Sequence, residues 1–194
     1  MKKSVGFKKK IDTAVFISGK GSNLKNLIKF SLQKKTPIKI QYVISNNKKA
    51  AGLRYPKKYN IDYKVYNFLN KSKAEIQILK DLKKKKIKLI CLAGFMKLLS
   101  KNFIRKFRYR ILNIHPSLLP KYKGLNTHKR VLKNNEKFSG CTVHFVNSKL
   151  DSGKIIIQKK VKIKKNENHK ALEKKILKQE HILYKKALMK IFSP

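Results

Sequence analysis

Cysteine is scarce in this 194-residue chain: only Cys91 and Cys141 occur, with no CxxC and no histidine at ligand spacing beside either. A zinc site or a disulfide framework is therefore not expected, and no metal is assigned. Long apolar runs are missing too, since no stretch approaches the roughly 18 residues that span a bilayer. The basic start leads into a short strand-like run rather than a signal-peptide core with a small-residue cleavage site. These absences point to a soluble, cytoplasmic protein without a membrane partner. Neither an internal repeat nor a Pro/Gly-rich linker interrupts the chain, and its length suits one domain. The expectation is a single domain over residues 1–194, with residues 1–10 a disordered basic leader.

Acidic residues are the most depleted group: nine Asp+Glu stand against 51 Lys+Arg, a net charge of +42. Such a balance suggests nucleic acid, because cationic side chains that neutralise phosphates release counterions and gain affinity regardless of sequence. Arginine, however, is confined to Arg54, Arg105, Arg108, Arg110 and Arg130, which leaves 46 lysines accompanied by many isoleucines and asparagines. Codons for Lys, Ile and Asn are mostly or wholly A and T, so base-composition drift raises all three together. Dedicated nucleic-acid readers keep arginine, whose planar fork grips guanine and phosphate bidentately. The charge is read as background that allows nonspecific RNA binding but no specific nucleic-acid partner.

What is present is an alternation of strands and helices. Residues 13–17 (TAVFI) read as a buried strand, residues 18–23 as a glycine loop, and Leu24, Leu27, Ile28 and Leu32 as the apolar side of a helix. Further strands are expected at 38–45, 63–66, 87–93 and 110–114, with helices at 50–59 and 74–86 and another after residue 93. This order predicts an α/β fold with a Rossmann-like, mainly parallel sheet, helices on both faces, and ligands at the carboxyl ends of the strands. Residues 141–146 and 154–163 are too close for a crossover helix and are expected to pair as a hairpin. A long helix over 168–192 closes the chain, with Leu172, Ile176, Leu177, Ile182, Leu183 and Leu188 towards the core.

Three places could carry chemistry. Gly21, Ser22 and Asn23 lie between a strand and a helix, where free N–H groups and the helix dipole suit a phosphate. A plain glycine turn capped by Ser22 or Asn23 is the other reading. The spacing is neither GxGxxG nor GxxxxGK[ST], which disfavours dinucleotides and ATP. In the string LNIHPSLLP, Asn113 and His115 stand two apart at a strand end and project from the same face. An imidazole that moves protons beside an amide that donates to an oxyanion suits acyl transfer. Asp151 is either a turn aspartate or the acid that orients His115. No GxSxG elbow accompanies them, so direct transfer between two bound substrates is the simpler reading. On the last helix Gln179 precedes Glu180, which interrupts a lysine run and either faces solvent or meets a ligand amine.

The strings ISGKGSNLKNLI, VISN, CLAGFMKLLS, LNIHPSLLPKYKGLNTH, GCTVHFV, LDSGKIIIQ and QEH occur in this order. Together, from Thr13 to about Leu188, they resemble the phosphoribosylglycinamide formyltransferases, a folate-dependent formyltransferase family. The resemblance implies transfer of a formyl group from 10-formyltetrahydrofolate, as co-substrate, to the amino group of 5-phosphoribosylglycinamide in purine biosynthesis. It implies small-molecule substrates and a monomer or homodimer. The substrate phosphate is implied at Gly21, Ser22 and Asn23 and the glycinamide end at Gln179 and Glu180. Asn113, His115 and Asp151 become the catalytic group. The folate is implied at Lys73, Met96, Lys97, Leu98, Leu99, Asn113, Asn147, Leu150 and Asp151. Lys73 stands where the family has an arginine, Asn126 precedes Thr127-His128 in place of a histidine, and Ser152-Gly153 replaces a glycine pair.

Three alternatives remain. A methionyl-tRNA formyltransferase shares the HPSLLP neighbourhood but lacks the Ser-Asn glycine loop and carries a further RNA-binding domain, for which the chain has no room. A formyltetrahydrofolate hydrolase carries an extra N-terminal domain. A basic RNA-binding module needs lysines gathered with aromatics, whereas here they run along every helix.

Overall fold

A computed structural model describes residues 10–192, so most of the proposed leader, residues 1–9, lies outside the described residues. Lys10 is described, and its ammonium donates to the carbonyls of Ser31 and Gln33 at 2.9 and 2.7 Å. The described residues form two compact units, one made of residues 10–97 together with 188–192, the other of Leu98–Ala187.

The first unit carries four parallel strands in the order β3-β2-β1-β4. These are β1 (Ile11–Ile17), β2 (Ile38–Ser45), β3 (Asp62–Val65) and β4 (Leu89–Leu92). Residues 13–17 of β1 and all of β4 are buried without alternation, as strands covered on both faces must be. Between β1 and β2 runs α1 (Ser22–Ser31), whose Leu24, Leu27 and Ile28 are fully buried. The expected helix at 50–59 is instead a 3-10 turn (Ala51–Leu53) followed by α2 (Arg54–Lys58). In α2, Pro56 sits within the first turn, where its missing N–H costs no helical bond. Helix α3 (Lys71–Lys84) starts three residues before the expected point, because the Asn70 side chain accepts from Lys73 N and caps it. It ends before Lys86, whose φ of 53° is left-handed.

The second unit is antiparallel: β5 (Arg110–His115), β6 (Phe138–Phe145) and β7 (Ile155–Lys162). The hairpin pairing of β6 with β7 agrees with the expectation. Helix α4 (Lys101–Phe107) is capped by Ser100, which accepts from Phe103 N at 3.0 Å. Helix α5 (Thr127–Lys133) was not foreseen, since its few apolar residues leave no clear periodicity. The closing helix α6 (His169–Phe192) buries Leu172, Ile176, Leu183 and Leu188, with Leu177 half-buried. Ile182 departs from the expectation and is 46% exposed. It lies two residues from each of the buried Glu180 and Tyr184, a rotation of about 200° that turns it away from them. Tyr184 takes the core place and donates to the Leu112 carbonyl at 3.2 Å.

Thus the α/β class is observed, with seven strands among the described residues: four parallel in the first unit and three antiparallel in the second.

Candidate active site

In the first unit, β1 ends at Ile17 and α1 begins at Ser22, so residues 18–21 form the loop expected between them. Gly21 itself is the N-cap, with φ 71°, and no side chain caps the helix. The cap reading for Ser22 and Asn23 therefore does not hold: Ser22 is already helical, and Asn23 is buried. Gly21 has a second requirement, because a Cβ there would lie 2.7 Å from the Cα of Gly52. The loop is tied down by Ser18, whose hydroxyl donates to the Asn46 side chain and accepts from Met96 N at 2.8 Å. What results is a turn that presents the backbone N–H groups at the start of a ten-residue helix, an arrangement suited to an anion.

The second unit holds Asn113, His115 and Asp151, the candidate acid–base group. Antiparallel register sets Asn113 opposite His144 and His115 opposite Thr142, so the period of two puts all four side chains on one face of the β5–β6 pair. Asp151 reaches that face from the turn after β6, in a left-handed conformation with φ 44°. His115 Nδ1 lies 3.3 Å from Asp151 Oδ2, and both side chains are 7% exposed. Asn113 Nδ2 donates to Asp151 Oδ1 at 3.4 Å and lies 3.3 Å from His144 Nε2. The opposite nitrogen of His115, Nε2, meets the carbonyl of Tyr122 at 2.8 Å. Gly124 N donates to Asp151 Oδ2 at 2.9 Å. The structure thus brings Asn113, His115 and Asp151 together as the sequence suggested.

Sequence reasoning missed His144. Its Nδ1 is 2.8 Å from the Phe145 carbonyl, so that nitrogen carries the hydrogen and Nε2 is left to accept from Asn113. Burial pushes the His144 imidazole below its ordinary range and keeps it neutral, with the nearby His115 acting the same way against the partial support of the Phe145 carbonyl and Asp151. The signal was available: Thr142 and His144 stand two apart in an apolar strand, as Asn113 and His115 do. Thr142 has its own task. Its hydroxyl donates to Ser117 O at 2.7 Å and accepts from Leu119 N at 3.1 Å and Gln158 Nε2 at 2.9 Å, which fastens the segment after β5.

The remaining expected positions are placed as follows. Lys73 is exposed in the first turn of α3. Met96 and Leu98 are 63% and 59% exposed, whereas Leu99 is buried at 8%. Lys97 is exposed, as is Asn147, whose side chain accepts from Lys149 N at 3.0 Å in a local turn. Leu150 is 45% exposed. On α6, Gln179 is half-buried and Glu180 is buried, so solvent exposure is not the reason for that acid. Glu180 lies near enough to Cys141 to add to the burial that pushes the thiol up to about 12. Asn126 is the left-handed N-cap of α5, with φ 56°. At the replaced glycine pair Ser152 donates to Leu150 O and accepts from Lys123, while Gly153 is the position with no room, a Cβ there falling 1.7 Å from Phe145 O.

Among the described residues no group of three or more His, Cys, Asp or Glu could hold a metal ion, and no helix is long and apolar enough to cross a membrane.

An amide, an imidazole and a carboxylate converge on one face, an arrangement suited to acyl transfer. Residues 11–188 match the formyl transferase family. The chain belongs to that family. The phosphoribosylglycinamide formyltransferase of Haemophilus influenzae is 42% identical over 174 residues, which are 88% of this chain and 82% of that protein. The human trifunctional purine biosynthetic protein adenosine-3 is 40% identical over 189 residues, 96% of this chain, but the chain spans only 19% of its length. Among solved structures, the phosphoribosylglycinamide formyltransferase of Brucella melitensis superposes with a TM-score of 0.90 at 40% identity, covering 96% of this chain and 97% of that one. Asn113, His115 and Asp151 all lie within the matched segment of this formyl transferase.

Proposed function

We propose that this formyl transferase moves a formyl group from 10-formyltetrahydrofolate to the amino group of 5-phosphoribosylglycinamide, a step of purine biosynthesis, acting on small molecules in the cytoplasm. The observation that carries the reading is the pair of contacts to one carboxylate, His115 Nδ1 at 3.3 Å and Asn113 Nδ2 at 3.4 Å, in a chain of this family. Similarity to phosphoribosylglycinamide formyltransferases over most of the length of both proteins supports the choice of acceptor.

The residues fit a formyl donor. Both Asn113 contacts are long, so its amide hydrogen is available to a stronger acceptor, the oxygen that turns negative when an amine adds to the formyl carbon. The co-substrate supplies that carbon on N10. As the new C–N bond forms and the bond to N10 breaks, one proton must leave the amine and one must reach N10. His115 is the group that can hold it in transit. Asp151 sets its charge against the imidazole and fixes the ring plane.

We assign the substrate phosphate to Gly21, Ser22 and Asn23, where the helix start offers N–H groups, and the glycinamide end to Gln179 and Glu180. The folate is assigned to Lys73, Met96, Lys97, Leu98, Leu99, Asn147 and Leu150 together with Asn113 and Asp151. The exposed apolar side chains of Met96, Leu98 and Leu150 have the character that a pteridine and aryl ring need. Formylation assays with the glycinamide acceptor and with tRNA as a competing acceptor test this reading. Modification of tRNA alone would overturn it.

A further inference from the structure

We propose that Tyr122, clamped through its hydroxyl by Glu136, is a positioning residue that fixes which nitrogen of His115 handles the proton; this rests on the formyl-transfer reading above. The backbone from Tyr122 to Gly124 touches both members of the acid–base pair. Tyr122 O takes His115 Nε2 at 2.8 Å, and Gly124 N donates to Asp151 Oδ2 at 2.9 Å. A carbonyl only accepts, so Nε2 carries a hydrogen in this arrangement. The exchangeable proton of the ring is then the one on Nδ1, on the side that faces Asp151 at 3.3 Å. One peptide segment therefore selects the working nitrogen and orients the carboxylate opposite it.

That segment does not hold its shape unaided. Tyr122 has φ 57°, a left-handed conformation that side chains other than glycine rarely adopt. Its ring and hydroxyl are gripped from outside the site. The hydroxyl donates to Glu136 Oε1 at 2.9 Å and accepts from Asn134 Nδ2 at 3.0 Å. The Arg130 guanidinium lies over the ring, 5.5 Å from its centre, and also donates to Lys123 O at 2.6 Å. Lys121 reaches the same Glu136 oxygen at 3.0 Å and holds that carboxyl below its usual range, helped by the Tyr122 hydroxyl. Ser117 donates to Lys121 O at 2.7 Å, and to Tyr122 O at a longer 3.4 Å. None of the side chains of Glu136, Asn134 or Arg130 is placed against His115 or Asp151 by these contacts. Their effect on the pair passes through the Tyr122 backbone.

The test uses the full chain and two readouts. Tyr122→Phe keeps the ring under Arg130 but loses the hydroxyl, and Glu136→Ala removes its acceptor. Both should lower kcat for formyl transfer by about 10- to 100-fold, the scale of a remote change that misplaces a catalytic group, with KM for either substrate within about twofold. Glu136→Gln, which keeps an oxygen for the hydroxyl, should recover most of the loss. In substrate-free protein, nitrogen-15 NMR should show His115 protonated at Nε2 in the wild type and a mixture of tautomers in Tyr122→Phe. Unchanged His115 nitrogen signals in both variants, with kcat within about twofold of wild type, would overturn the proposal even if their melting temperatures fell. Because the NMR readout needs no substrate, a wild-type chain that failed to formylate the glycinamide would defeat the functional reading while the tautomer shift still supported the clamp.

Discussion

Asn113 and His144 face each other directly across the antiparallel β5–β6 ladder, with the Asn113 amide nitrogen 3.3 Å from His144 Nε2. Because His144 Nδ1 is committed to the Phe145 carbonyl, the facing nitrogen can only accept, and the amide must point its NH2 group at it. His144 thereby fixes the rotation of the amide beside His115. Its replacement by leucine leaves the strand apolar but leaves the amide only its 3.4 Å contact to Asp151, and formyl transfer should fall by about 10- to 100-fold. Steady-state kcat of His144→Leu checks this. A value within about twofold of wild type would remove His144 from the site.

Burial also gives the fold a direction of pH dependence. Desolvation pushes the imidazoles of His128, His144 and His181 below their ordinary value of 6.5. Below that value the unfolded chain binds more protons than the folded one, so stability is full above about pH 6.5 and declines as pH falls through the lowered folded values. Thermal melts at about pH 7.5, 6.5 and 5.5 should show the midpoint dropping over the lower interval. His144→Gln, which takes up no proton there, should flatten part of that drop.

Two glycines that leave no room for a Cβ stand in the loops assigned to phosphate binding and to Asp151. Gly21→Ala places a Cβ 2.7 Å from the Gly52 backbone in a left-handed turn, where the conformation alone costs about 1–2 kcal/mol. If the loop binds the phosphate, KM for the ribose-phosphate substrate should rise more than kcat falls. Gly153→Ala puts its Cβ 1.7 Å from Phe145 O and must displace the turn that carries Asp151, so kcat should fall instead. Parallel kinetics of the two variants separate a binding loop from a catalytic one.

The net charge of +42 should speed capture of two anionic substrates and also attract RNA. Raising salt from about 50 to 200 mM should lower kcat/KM and release bound RNA together. Retention of RNA at high salt, with sequence preference, would contradict its reading as background.

The sequence revealed most about elements whose pattern is periodic or continuous. The run at 38–45 matches β2 at both ends, since Ile38, Ile40 and Tyr42 alternate with Lys39 and Gln41 before the apolar Val43-Ile44. The Asn113–His115 pair was legible for a similar reason: a strict period of two leaves the facing direction fixed. Less was visible where side chains act through space. Asn70 capping of α3, Tyr184 in the core in place of Ile182, and the Glu136 grip on Tyr122 all depend on partners 3 to 72 residues away. His144 was legible in principle by the same alternation and was overlooked because its string read as plain strand.

Formyl transfer by His115→Ala is the most direct test of the account. Purified wild-type chain given 10-formyltetrahydrofolate and 5-phosphoribosylglycinamide should formylate the glycinamide amine, and the variant should lose about 100-fold or more of that turnover while remaining folded. Turnover in His115→Ala within about threefold of wild type would contradict the assignment of the proton to this imidazole.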